Sequence, residues 1–270
     1  MKRVIITGIS GTLGKALGEE YLREGWHVIG VSRKKDFEGK GKSFSELHTS
    51  PQASVEDAAR LLDLNPDLLI LNAGQIETAI GEEGLPLTEM VESMNRVNYT
   101  WPAVVATEAG NRPWDHPLEI IAIGSIADGA PSPFGPVYHA GKIAIHYFWL
   151  GVGPILYYSS KGKVKMRLYR PGAIKGPLAW APVNRLNEKG YKIRKKRVDG
   201  APEADRVAKD IIKWIEKGKG WVGTWDEPFT FRIFKHLHSF FPNLSYKVQM
   251  LGWRKASKWG AQMNTDEHDR

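Results

Sequence analysis

The opening residues narrow the possible folds more than any other stretch of the chain. Residues 3 to 7, RVIIT, form a short β-branched apolar run of the kind that makes a buried strand. Gly8, Gly11 and Gly14 follow at once, and Gly14 opens a segment with Leu13, Leu17 and Tyr21 on one side of an amphipathic helix. A strand, a glycine turn and a helix N-terminus in that order form the context that a dinucleotide phosphate requires. The glycines let backbone approach the pyrophosphate, and the helix end offers free N–H groups and partial positive charge. Gly8, Ser10, Gly11, Thr12, Leu13 and Gly14 are the candidate contacts.

The rest of the chain alternates strand and helix patterns. HVIGVS reads as a second strand ending in Ser32-Arg33-Lys34-Lys35, with no acid before Asp36. An acid there suits the ribose 2′-hydroxyl of NAD, whereas a basic residue suits a 2′-phosphate. The pattern therefore favours NADP(H) over NAD(H), with Ser32 and Arg33 at the phosphate and Arg33 chelating it through its fork. SVEDAARLLDL reads as a serine-capped helix, and PDLLILNAG as a strand ending at Asn72-Ala73-Gly74, where small residues let an adenosine or ribose lie against the sheet edge. A helix over about Thr88 to Val105 carries Asn98 and is expected to break near Trp101-Pro102, because proline frees a carbonyl inside a helix. Asn98 is either a surface amide or part of a water-holding kink.

EIIAIGS forms another buried strand and ends on Ser125. Tyr138 comes thirteen positions later and Lys142 four after that, on the same helical face. An ammonium beside a phenol favours the phenolate, and a serine hydroxyl from the strand end can bond the same substrate oxygen. Together they make a general acid for carbonyl reduction or a general base for alcohol oxidation. Any helix can carry Tyr-x-x-x-Lys by chance, so the surrounding pattern gives it weight. The helix beyond Lys142 is apolar on nearly every face, which predicts burial on all sides and an end or bend at Gly151, Gly153 and Pro154. VKMRLYRPG delivers Pro171-Gly172 to the same sheet edge. Residues 173 to 200 lack periodicity and read as a lid or loop, 203 to 216 as an amphipathic helix, and WVGTW as a last strand.

Composition excludes several alternatives. With 270 residues, 42% apolar and 25% charged, the chain is that of a soluble globular protein able to bury a large core. It contains no cysteine, so disulfides, thiolate catalysis and zinc–thiolate sites are ruled out, and no metal site is read. No signal peptide and no apolar run of ~18 or more residues are visible, so a cytoplasmic location is expected. The formal charge of +8 is concentrated between Lys189 and Arg197 and beyond Pro228. The first cluster either attracts an anionic substrate or is a solvated loop. No nucleic-acid recognition module accompanies the charge.

In combination, the Thr7-Gly8 glycine turn, Asn72-Ala73-Gly74, Asn98, Ser125, Tyr138 with Lys142, and Arg170-Pro171-Gly172 resemble the short-chain dehydrogenase/reductase family over about residues 3 to 225. The resemblance implies an α/β fold: one doubly wound Rossmann domain over residues 1 to 225, with a parallel sheet of about seven strands, followed by a helical extension over 226 to 270. It implies Tyr138 as catalytic acid/base, Lys142 lowering its pKa and binding the nicotinamide ribose, Ser125 polarising the carbonyl, and Asn98 holding a relay water. Asn72, Ala73, Gly74, Pro171 and Gly172 complete the cofactor contacts. Departures from the pattern are Thr12 in place of the usual middle glycine, Lys175 where a threonine commonly meets the cofactor, no acid at His48-Thr49-Ser50, and Gly141 inside a helix.

The expected function is hydride transfer between NADP(H) and a small-molecule carbonyl or secondary alcohol. The alternatives are a non-catalytic NADP-binding sensor or membrane scaffold, and an epimerase or dehydratase on the same fold. A homo-oligomer is expected. In the extension, Phe229, Ile233, Phe234, Leu237, Phe240 and Phe241 line one helical face, opposite Arg232, Lys235, His236 and His238, and Trp253 and Trp259 continue the theme. Three readings stay open: packing on the sheet or a partner subunit, contact of residues 229 to 259 with an anionic membrane surface, or a lid over an apolar substrate.

Overall fold

The computed structural model describes residues 1–33, 43–81, 84–193 and 199–256. Seven strands form one parallel sheet in the order β3-β2-β1-β4-β5-β6-β7: β1 Arg3–Thr7, β2 His27–Ser32, β3 Glu46–Thr49, β4 Leu68–Leu71, β5 Leu118–Ile123, β6 Val164–Pro171 and β7 Val222–Trp225. Helices cover both faces, as the apolar strands require. The pleat divides the strand residues between two cores. Ile5, Leu69, Leu71, Ile120 and Ala122 face α2 (Val55–Leu62), α4 (Trp101–Gly110) and α5 (Pro136–Ser159). Val4, Ile6, Leu68, Ile70, Ile121 and Ile123 face α1 (Thr12–Arg23) and the amphipathic helix Ala204–Glu216, here α7. The doubly wound α/β expectation is met.

Strand order reverses between β1 and its neighbours β2 and β4, which opens a crevice at the carboxyl ends of β1 and β4. Such a switch point is where ligands bind in this architecture. α2 begins with the expected serine: Ser54 Oγ accepts from Asp57 N at 3.2 Å, and Asp57 Oδ2 accepts from Ser54 N at 3.3 Å.

Three expectations are corrected. The break near Pro102 lies just before it: α3 (Thr88–Asn95) passes through a π-helical turn, Arg96–Thr100, into α4. The α-helical donor for the Asn98 carbonyl would be the residue four ahead, which is Pro102 and has no N–H. The long helix α5 runs unbroken through Gly151, Gly153 and Pro154 to Ser159. It is buried on one side only, since Tyr147, Leu150, Ile155 and Tyr158 are exposed; the absence of charge there does not reflect enclosure. Within the supposed loop 173 to 200, Pro177–Glu188 forms a helix, α6, started by Pro177 in its first turn. Within the basic run Lys189 to Arg197, residues 194–197 lie outside the described residues, as do Lys34, Lys35, Asp36 and Trp259.

The C-terminal extension is helical as expected, comprising α8 (Phe229–Phe240) and α9 (Pro242–Ala256). Of the readings left open for its apolar face, packing on the sheet is not what is seen. Phe231 and Lys235 face the body, over Gly129, while Phe229, Ile233, Phe240 and Phe241 are exposed.

Two glycines in helices provide a paired test of packing. A Cβ on Gly18 in α1 would stand 1.9 Å from the Ser43 carbonyl oxygen, whereas one on Gly151 in α5 meets nothing within 4 Å. Gly18→Ala is expected to destabilise the fold by roughly 1–3 kcal/mol through overpacking, and Gly151→Ala to stabilise it by about 0.5–1 kcal/mol through helix propensity. Urea unfolding midpoints of the two variants check both signs.

Candidate active site

The crevice is built from backbone in close contact. Gly8 adopts φ +67°, and a Cβ there would come within 2.8 Å of Ala73 Cα. A Cβ on Gly14 would come within 2.2 Å of the Gly8 carbonyl oxygen. The start of α1 therefore lies directly on the turn after β1, which only glycine at both positions permits. Asn72 ties the two strand ends across the crevice, donating through Nδ2 to Thr7 O at 3.0 Å and Gly8 O at 3.3 Å. Ala73 N donates to Thr7 Oγ1 at 3.0 Å. The cap position of α1 is Gly11, which offers no side-chain cap, leaving the first N–H groups of the helix at the crevice as an anion site. This is a fit for a pyrophosphate: small residues, close backbone and a helix end.

Ser32 is buried at the end of β2, its Oγ 3.5 Å from that of Ser10 in the glycine turn. Arg33 follows it, exposed, and reaches across the mouth of the crevice. With the Gln75 amide oxygen turned toward it, the guanidinium donates through Nη1 and Nη2 at 2.7 and 3.0 Å. Lys175, which replaces the family's usual threonine, instead pairs with Glu203.

At the carboxyl end of β5 the three predicted chemical groups come together. Ser125 stands at the end of the strand, mostly buried, and its Oγ accepts from Ala127 N at 3.1 Å. Tyr138 and Lys142 lie in the first turns of α5, with the Tyr138 phenol near enough to Ser125 for the hydroxyl to favour its ionised form. Lys142 Nζ donates to the Ile123 carbonyl at 2.8 Å and lies 5.5 Å from the Tyr138 ring centroid. Burial lowers the lysine pKa to about 8, opposed by the charge of Asp128. Burial raises the phenol above its ordinary value; the Ser125 hydrogen bond opposes this, while the charges of Glu77 and Asp128 add to it. The net direction is upward, opposite to the lowering expected from the lysine alone.

Asn98 is buried in the π-helical turn, and its side chain bonds the chain on both sides. Oδ1 accepts from Gln75 N and Nδ2 donates to Gln75 O, both at 2.8 Å. It thereby clips the segment after Gly74 to the helix. Gly141 packs against it: a Cβ there would lie 3.2 Å from Asn98 Cβ.

Pattern reading overlooked the residues that hold this cluster. Asp128 is buried and takes Arg170 through both oxygens, Nε to Oδ2 at 2.6 Å and Nη2 to Oδ1, with His146 Nδ1 2.7 Å from Oδ2. Burial works against the carboxylate, but hydrogen bonds from His146 and Arg170 hold its pKa below the ordinary value. The network joins the end of β5, the end of β6 and α5. His146 sits four residues after Lys142, so helical spacing was the one available signal. Glu77 is buried and accepts from Val137 N at 2.8 Å and Tyr138 N at 3.1 Å. No local pattern announces a contact across 60 residues.

Beside the site, α9 folds back on the segment after α6. The Trp253 ring lies 5.0 Å from that of Tyr191 and 5.6 Å from that of Phe134, and Lys192 N donates to Ala256 O at 2.9 Å.

Comparison with known proteins agrees with this geometry. The short chain dehydrogenase family profile matches residues 2–185. The chain is 36% identical over 152 residues to an uncharacterised oxidoreductase of Schizosaccharomyces pombe, covering 53% of this chain and 51% of that protein. It therefore spans about half the length of that relative. It is 25% identical over 256 residues to 11-beta-hydroxysteroid dehydrogenase A of Sesamum indicum, covering 86% of this chain and 70% of that one. Among solved structures, a short chain dehydrogenase from Burkholderia cenocepacia in complex with NADP superposes with a TM-score of 0.69 at 18% identity, over 92% of this chain and 99% of that one. One from Sphingobium yanoikuyae in complex with NADPH gives 0.63 at 19%, over 90% and 95%. The chain belongs to the short-chain dehydrogenase/reductase family.

Proposed function

We propose that the chain is an NADP(H)-dependent oxidoreductase that interconverts a carbonyl and a secondary alcohol on a small molecule, with Tyr138 as general acid/base. The observation that carries this reading is the meeting of Ser125, Tyr138 and Lys142 beside the glycine crevice. When bound, the nicotinamide supplies or accepts hydride. The chain's own residues handle the substrate oxygen: Ser125 and Tyr138 hydrogen-bond it, and Tyr138 gives or takes the proton. Lys142 lies under the phenol and, with it, would hold the nicotinamide ribose. Asn98 fixes the segment after Gly74 and would hold the relay water. Gly8, Ser10, Gly11, Thr12, Leu13 and Gly14 would cradle the pyrophosphate, and Asn72, Ala73, Gly74, Pro171 and Gly172 would border it.

Preference for NADP(H) rests on Ser32 and Arg33, and the NADP and NADPH carried by solved structures of like fold support it. The 2′-phosphate would draw the Arg33 fork from Gln75, exchanging a neutral acceptor for an anionic one. Tyr138→Phe is expected to lower NADPH oxidation with a panel of ketones and aldehydes by at least about a hundredfold, with NADPH binding retained; turnover at the wild-type rate would refute the assignment of the acid. Arg33→Asp is expected to weaken NADPH by about 2 kcal/mol or more while leaving NADH nearly unchanged, as read by cofactor fluorescence titration.

The extension favours a peripheral contact with an anionic lipid surface. No helix among the described residues is long and apolar enough to cross a membrane. Phe229, Ile233 and Phe240 are 74%, 53% and 73% exposed and share one side of α8. Residues 228 to 256 include Arg232, Lys235, Lys247, Arg254 and Lys255 and no acid, a charge pattern that complements anionic headgroups. The protein is expected to sediment with phosphatidylglycerol-containing vesicles and not with phosphatidylcholine alone, and Phe229→Ser with Phe240→Ser to abolish this. If those changes instead dissociate an oligomer and vesicles bind nothing, the face belongs to a second copy.

A further inference from the structure

Helix α5 has an unusual start. Its cap position is Gly135, with no side chain, and its first residue is Pro136, with no N–H. The next two N–H groups, of Val137 and Tyr138, are both taken by Glu77 Oε1, from the segment after β4. Glu77 is fully buried, and its Oε2 has no hydrogen-bond partner. That oxygen lies 3.5 Å from where a Cβ on Gly135 would stand, so the missing side chain leaves room for it. Arg185 of α6 is on the far side, 5% exposed, donating through Nη2 to the Phe134 carbonyl at 2.8 Å, with Nε unpartnered.

A helix N-terminus stabilises an anion and the two N–H bonds satisfy one carboxylate oxygen. A neutral side chain would cap the helix with a smaller desolvation penalty. The buried charge therefore calls for a second role, and one of the two residues whose N–H it holds, Tyr138, carries the phenol.

We propose that Glu77 is a positioning residue for the reaction assigned above: through the N–H groups of Val137 and Tyr138 it fixes the turn that carries the phenol, and it sets a buried carboxylate on that turn, which favours the proton-donating form of the site and hence carbonyl reduction. The inference rests on the reading of Tyr138 as the acid/base. The groups facing the phenol come from three elements. Lys142 and His139 lie on α5 itself, the latter with its ring centroid 6.3 Å away and its pKa lowered by burial. Ser125 and Asp128 come from the end of β5 and the turn after it, and Glu77 from the segment after β4. Asp128 is matched by Arg170 and His146, whereas one oxygen of Glu77 is left over. Glu77 is thus the charge whose removal the phenol feels without loss of a larger network.

Reduction requires the protonated phenol, so its rate falls as pH rises through the phenol pKa; removing a nearby negative charge lowers that pKa. Glu77→Gln keeps the length and an acceptor but not the charge. It is expected to move the alkaline limb of kcat for carbonyl reduction to lower pH by roughly one unit, with KM and NADPH affinity unchanged. Glu77→Asp keeps the charge but is too short to hold both N–H groups, and is expected to lose about tenfold in kcat with the limb in place. NMR of protein labelled at tyrosine Cζ, with the Tyr138 signal assigned through Tyr138→Phe, reads the same titration without turnover. If wild-type protein oxidises no cofactor with any substrate, the oxidoreductase reading fails, and the NMR titration still decides the role of Glu77. Should Glu77→Gln not fold, Arg185→Gln tests the same charge with the opposite sign, moving the Tyr138 titration upward. An unmoved Tyr138 titration in the variant that folds overturns the proposal.

Discussion

The contact of α1 with the turn at Gly8 is the constraint from which the rest follows. Helix backbone cannot come this near to strand backbone if either Gly8 or Gly14 carries a side chain. Once it does, the first N–H groups of α1 face the crevice between β1 and β4, and Asn72 seals the far wall by bonding Thr7 and Gly8. The parallel order of the sheet then places the ends of β5 and β6 along the same edge. Ser125, Tyr138 and Lys142 therefore meet where a ligand seated on the glycine turn would end.

The second layer of organisation is electrostatic. Two carboxylates, Asp128 and Glu77, are buried around one phenol and one ammonium. Both hold the architecture together, since Asp128 clamps the ends of two strands to α5 and Glu77 caps that helix. Their charges also act on the chemistry, because a dry site weakens screening. The same bonds that hold the shape thus bias the protonation of the groups held.

The strands other than β3, the switch-point crevice and the Ser125, Tyr138 and Lys142 cluster were legible in the chain because each depends on local pattern: β-branched runs, glycine at fixed offsets, and a four-residue helical interval; β3, ELHT, carries no such run. The errors arose where local pattern is ambiguous. An uncharged helix face reads as buried, yet Tyr147 and Tyr158 on α5 are exposed. Glycine and proline read as a bend at Gly153-Pro154, yet α5 runs through them. The proline at 177 read as loop, although in a first turn it starts a helix. Glu77, Asp128 and Arg185 could not be singled out, because their partners lie far off in sequence and a lone charged residue most often faces solvent.

The ring cluster of Phe134, Tyr191 and Trp253 carries a further consequence. It joins three parts of the chain: the run-up to α5, the exit from α6 and the C-terminal helix. Separating α6 from the C-terminal helix would require unstacking Trp253 and breaking the Lys192–Ala256 backbone bond. The position of α6 is therefore tied to α9, and loss of the Trp253 ring would loosen both helices while leaving the chemical groups where they are.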